Sequence, residues 1–147
     1  MKISDALTGV SRLFLDTAPV IYFIERNPRF VNFVDPIFER LETDITAVVS
    51  PVTLSECLVG PLRLGLADLE KAFIDMLQQD EVVFVEIDAA IAREAAIMRL
   101  RYNLQLPDAL QVAVALASGC EAFLTNDQAL KRVVELRILV VGELEVG

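Results

Sequence analysis

Residues 12–17, RLFLDT, and residues 122–127, AFLTND, are two short apolar runs that each close on a carboxylate and a hydroxyl. Neither alternates strictly between apolar and polar side chains. A strand open to water on one face does alternate, so these runs read as strands covered on both faces, as in a parallel sheet. ITAVVS, VVFVEID and RILVVG share the pattern and bring the expected strands to five.

Between the runs the apolar spacing changes to a period near 3.6, the mark of helices: APVIYFIER, PIFERLE, PVTLSECLVG, LADLEKAFIDMLQQ, DAAIAREAAIMRLRYN, PDALQVAVALAS and QALKRVVE. Ser50 before Pro51 reads as an N-cap with proline in the first helical position, and Gly60-Pro61 reads as that helix's end. Asp35-Pro36 reads as a helix start or a kink. Strands alternating with helices imply a doubly wound α/β fold with right-handed crossovers. Ligands of such sheets bind beyond the C-terminal strand ends, where strand order reverses.

The 147 residues are 54% hydrophobic, with no repeat, linker or low-complexity tract, and read as one domain, 1–147, whose first strand starts near residue 12. The opening MKISDALTGVSR lacks the apolar core of a secretory signal. The longest nearly apolar stretch is broken by Ser118, Gly119 and Glu121, short of the ~18 residues of a membrane span. The expectation is a cytoplasmic protein with no membrane association. Cys57 and Cys120 stand apart, without zinc or redox spacing, and read as core residues.

The sequence contains no His, which removes Ser-His-Asp triads, Cys-His pairs and His-ligated zinc. Any chemistry must use carboxylates, hydroxyls, amines or a hard metal ion. The net charge of -9 argues against a general nucleic-acid coat, because such affinity comes from neutralising phosphates. A local basic rim is still compatible with it, with Arg12, Arg26, Arg29, Arg63, Arg99, Arg101, Lys131 and Arg132 as candidates against a default of solvated surface charge.

Asp16 and Asp127 each follow a strand, so parallel central strands would deliver both to one sheet edge; the plain alternative is that each caps the next helix. Glu56 lies in the second turn of the helix after Ser50 and reads otherwise as a solvated side chain. Asp108 stands in the first turn of an apolar helix, where the helix dipole favours an anion, and Gln111, Ala115 and Ser118 share its side. Two carboxylates ~4 Å apart repel by about 4 kcal/mol at an effective dielectric of ~20. Four gathered acids therefore need raised pKa values or a cation, and oxygen-only ligands suit Mg²⁺ or Mn²⁺.

FLDTAPVIYFIE, SPVTLSECL, LPDALQVAVA and LTNDQAL resemble, in order and spacing, the acidic motifs of PIN-domain ribonucleases, especially VapC-type toxins of toxin-antitoxin pairs. The resemblance runs from about Phe14 to Val141. It implies a PIN-like three-layer α/β fold: a central parallel five-stranded sheet ordered 3-2-1-4-5, with helices on both faces. It carries over Asp16, Glu56, Asp108 and Asp127 as the catalytic, metal-binding quartet, with Thr17 and Thr125 as supporting hydroxyls that orient carboxylates or water. It also implies an RNA substrate, a Mg²⁺ or Mn²⁺ cofactor, homodimerisation and an antitoxin partner.

Other phosphate chemistries fit poorly. Haloacid-dehalogenase-like phosphatases need a second Asp where Ala18 stands, and receiver domains need a paired acid and a late Lys that FLDT and VVGELEVG lack. A PIN-like binding or scaffold module without significant nuclease activity is the competing reading. Between Ala18 and Phe38 the apolar bulk exceeds the needs of a short helical pair, which leaves part of it for a groove that takes an amphipathic antitoxin helix.

Overall fold

The computed structural model describes residues 1–146. Strands β1 (Arg12–Leu15), β2 (Thr46–Val49), β3 (Val82–Phe84), β4 (Ala122–Thr125) and β5 (Arg137–Val140) form one sheet in the order β3-β2-β1-β4-β5. Every neighbouring pair is parallel, as the unbroken apolar runs require. The order reverses between β1 and β4, so the cleft of the fold lies beyond Leu15 and Thr125.

Side chains alternate along β1 between two cores. Leu13 and Leu15 face α2 (Thr17–Ile24), α3 (Val31–Leu41), α4 (Pro51–Leu64) and α5 (Ala67–Leu77), where Val20, Ile37, Cys57, Phe73 and Leu77 are buried. Phe14 faces the other way, with Val48 and Phe123, onto α6 (Ala89–Tyr102) and α7 (Leu106–Ala117). Phe14 and Phe123 are register partners, and their rings stack with centroids 4.9 Å apart and planes 17° apart. This gives the three layers, each strand buried on both faces.

Several local expectations need correction. α4 does not end at Gly60-Pro61 but runs to Leu64, with Pro61 buried inside it. Proline there removes only one helical N–H. The stop is Gly65, whose φ of 67° suits glycine and lets the N–H of Leu66 reach the Pro61 carbonyl at 2.9 Å. Asp35-Pro36 does not start a helix: α3 begins at Val31 and carries Pro36 in its interior, while Asp35 pairs with Arg26 at 2.7 Å. QALKRVVE forms only a short 3-10 turn, Gln128–Arg132, because Val133 and Leu136 turn into the core beneath α6 and α7. The expected strand VVFVEID is ordered as strand only over Val82–Phe84. The first residues add α1 (Ile3–Ala6), which the apolar pattern had not suggested. Among the described residues no helix is long and apolar enough to cross a membrane.

Candidate active site

Asp16 is the first residue after β1 and caps α2 through a 2.9 Å hydrogen bond from the Thr17 N–H to Oδ1. Its other oxygen, Oδ2, accepts from the Thr125 hydroxyl at 2.8 Å, across the strand order reversal. Burial raises its pKa; the hydrogen bonds from Thr125 and Thr17 oppose that rise, and Glu56 adds repulsion.

Glu56 reaches the cleft from the second turn of α4, which Ser50 and Thr53 start with a capping box. It is exposed, yet its Oε1 accepts from the Thr17 hydroxyl at 2.7 Å. Asp127 caps the 3-10 turn, accepting from the Ala129 N–H at 2.9 Å, while its own N–H donates to Thr125 Oγ1 at 3.0 Å. Thr125 thus takes a hydrogen from the chain of one acid and gives one to another. Capping and clustering coexist at both aspartates.

Asp108, half-buried in the first turn of α7, ties the group together. Its pKa is pushed up to about 6, first by burial and then by repulsion from Asp16, Asp127 and Glu56. The four acids thus lie along the same edge of the sheet, with Thr17 bonded to Glu56 and Thr125 bonded to Asp16 and to the Asp127 N–H.

Two groups at the site have contacts that the sequence did not indicate. Ser50, Thr53 and Gln111 form a buried hydrogen-bonded set under the cleft. The available signal was Gln111 itself, a large amide in an otherwise apolar helix on the side of Asp108. Asn126, between Thr125 and Asp127, donates to the Tyr22 hydroxyl at 2.9 Å and accepts from the Gly142 N–H at 2.9 Å, which anchors the loop carrying Asp127.

The donor set is chemically narrow. The thiols of Cys57 and Cys120 are buried and pushed up to about 12, so neither is a thiolate at neutral pH. Carboxylate and hydroxyl oxygens remain, the ligands of a hard divalent ion. Among the described residues no three acids stand close enough to form a ready cage. Hydroxyls and N–H groups hold the carboxylates at their present spacing.

Most of the expected basic rim is engaged elsewhere. Arg26 pairs with Asp35, Arg101 with Glu135 and Lys131 with Glu143. Arg12, Arg99 and Arg132 donate to the carbonyls of Ser118, Leu104 and Asn103. Arg29 lies over the Phe30 ring, and Arg63 sits in the last turn of α4.

Of the expected bulky set between Ala18 and Phe38, only Val20 and Phe38 are fully buried; Ile21, Tyr22, Phe23, Ile24, Phe30 and Phe33 are half-buried and pack against the core. Phe23, Phe38, Leu41, Ala47, Met76 and Val82 line a cleft of about 300 Å³ whose rim carries Glu42 and Glu81.

Solved structures share the fold. VapBC2 from Rickettsia felis, bound to a promoter DNA fragment, aligns with a TM-score of 0.68 and 18% identity over 92% of this chain and 98% of its own. A toxin-antitoxin complex from Klebsiella pneumoniae gives 0.68 and 20% over 89% and 98%. VapC20 of Mycobacterium tuberculosis, described as a Sarcin-Ricin loop cleaving toxin, gives 0.64 and 15% over 76% and 86%. No curated protein sequence matches significantly. The family model described as PIN domain matches residues 13–136, a span that takes in β1 from Leu13, β2, β3, β4 and all four acids and stops just before β5, and the chain belongs to that family.

Proposed function

We propose that this protein is a Mg²⁺- or Mn²⁺-dependent endoribonuclease and the toxin component of a toxin-antitoxin pair. The observation that carries the reading is the placement of four acids along one sheet edge, where Thr125 bonds Asp16 and the Asp127 N–H, Thr17 bonds Glu56, and Asp108 stands half-buried beside them. A fold that gathers this much like charge gains most when a cation joins it.

Asp16, Glu56, Asp108 and Asp127 would hold the ion. When bound, it supplies Lewis acidity at a phosphodiester and makes water a competent nucleophile near neutral pH. Thr125 opposes the rise in pKa that burial imposes on Asp16 and orients its carboxylate. Thr17 orients the Glu56 carboxylate. Asp108, whose pKa is pushed up to about 6, would have to be ionised to serve as a ligand, so the site would favour an ion above that pH. With most cations engaged in local pairs, RNA is held weakly and in a salt-sensitive way, and selection falls to shape and partner contacts.

The structural neighbours include toxin-antitoxin complexes, which supports an antitoxin partner here. The cleft between Phe23 and Met76, apolar with Glu42 and Glu81 on its rim, suits an amphipathic helix with basic flanks. The toxin would act as a homodimer in the cytoplasm. The deciding experiment is cleavage of RNA with and without Mn²⁺: metal-dependent scission by the wild type, absent in Asp16→Asn, supports the assignment, and equal scission by both removes it. A binding module without catalysis draws support from the lack of a ready cage among the described residues. A Mn²⁺ titration separates the two, since a scaffold has no use for an ion among these acids.

A further inference from the structure

Gln111 is the least expected residue near the cleft. It lies on α7 among Ala109, Val112, Ala113, Val114 and Ala115, all buried, and is itself 1% exposed. An aliphatic side chain would satisfy the burial, so a buried amide at this position calls for polar partners. The capping box of α4 accounts for Ser50 and Thr53 without it.

Both ends of the amide are used. Oε1 accepts from the Ser50 hydroxyl, and Nε2 donates to Thr53 Oγ1 at 2.8 Å. Thr53 in turn donates to the Leu15 carbonyl at 3.4 Å. Each anchor of this network is one step from an acid: Asp108 lies three residues before Gln111, Glu56 three after Thr53, and Asp16 directly follows Leu15. Three residues is about one helical turn, so each acid stands on the same side of its helix as the anchor below it.

We propose that Gln111 is a positioning residue: it ties α7 to the start of α4 and the end of β1, and so fixes the spacing at which Asp108, Glu56 and Asp16 meet an ion. The assignment rests on reading the cluster as a divalent-ion site, and its test includes an arm that needs no ion.

The variants are Gln111→Met, close in volume and apolar, and Thr53→Val, with Thr53→Ser as the conservative control that keeps the hydroxyl. Two quantities are measured at a temperature where circular dichroism shows each variant folded: the Mn²⁺ dissociation constant by calorimetry, and amide hydrogen exchange along α7 in EDTA-treated protein. Gln111→Met and Thr53→Val are expected to weaken Mn²⁺ by about 10-fold or more, the scale for outer partners of metal ligands. They should also speed exchange at Ala109 to Val112 while leaving Val114 to Ser118 unchanged, and Thr53→Ser should stay within about twofold of wild type. Unchanged exchange, or a uniform rise along α7 with unaltered Mn²⁺ affinity, gives Gln111 a packing role only and overturns the proposal. Should wild type fail to bind Mn²⁺, the ion-site reading falls, and the exchange arm alone decides whether Gln111 holds α7 in place.

Discussion

The hydroxyl of Thr125 donates to Asp16 Oδ2 at 2.8 Å, joining the C-terminal ends of two adjacent strands whose residues lie 109 positions apart in sequence. This bond opposes the rise in pKa that burial imposes on the Asp16 carboxyl at the floor of the cleft. Thr125→Val should therefore lower RNA cleavage by about 10- to 100-fold, the usual cost of losing an outer partner of a metal ligand. Thr125→Ser should retain most activity. Comparing initial rates of the two at saturating Mn²⁺ and at low Mn²⁺ checks the point: a valine variant as active as wild type under both conditions would leave the hydroxyl without a role.

Asp16→Asn keeps an oxygen to cap α2 and so should fold normally. It removes the charge shared most centrally by the cluster. Cleavage should fall more than about 100-fold, beyond the loss assigned to Thr125. Far-ultraviolet circular dichroism and RNA gel assays on the same preparation test the two halves of this statement together.

Asp108 supplies a pH signature. Its folded-state pKa, about 6, lies above the ordinary 3.8, so the folded chain holds this proton more tightly than the unfolded chain does. The ionised cluster is thus a penalty on folding that is absent below pH 3.8, grows as pH rises and is complete above about 6. Asp108→Asn should raise the melting temperature at pH 8 and leave it unchanged at pH 3. Wild-type Mn²⁺ affinity should strengthen as pH rises through 6. Calorimetric scans of both proteins across that range would expose a wrong sign directly.

Glu121 is placed for stability rather than chemistry. It accepts from the Ser11 N–H at 3.0 Å, the Ser11 hydroxyl at 2.8 Å and the Arg12 N–H at 2.8 Å, which fastens the start of β1 to the start of β4. These bonds hold its pKa below 4.5. Glu121→Ala should cost about 1 kcal/mol, the lower part of the range for bonds to a charged group because the site is exposed. That loss corresponds to a drop of roughly 2 to 4 °C in melting temperature. The contribution is present above pH 4.5 and disappears as pH falls through the lower folded value, so wild type and variant should converge in acid.

The sheet was legible because both faces of every strand are covered, which leaves runs such as LFL and AVV without polar interruption. The acids were legible for a related reason: each stands where a strand has just ended or a helix has just begun, and the topology carries those places to one edge. What local pattern could not convey was set by contacts distant in sequence. Pro61 reads as a stop, yet α4 packs on through it and yields only to the left-handed turn at Gly65. Val133 reads as helical, yet it is drawn into the core beneath α6 and α7. Gln111 reads as sharing the side of Asp108, but its partners Ser50 and Thr53, some sixty positions earlier, lie beyond local pattern. The arginines read as a rim because their carbonyl partners belong to other segments.

The stacked rings of Phe14 and Phe123 join a strand made early to one made late. β1 and β2 come from the first third of the chain, whereas β4 is made late and must insert beside β1 to bring Thr125 and Asp127 to Asp16. Closing so long a loop is the slow, non-local part of assembly. A growing polypeptide on the ribosome therefore carries its acids apart, and the pocket comes into being only once the late strand has emerged and docked.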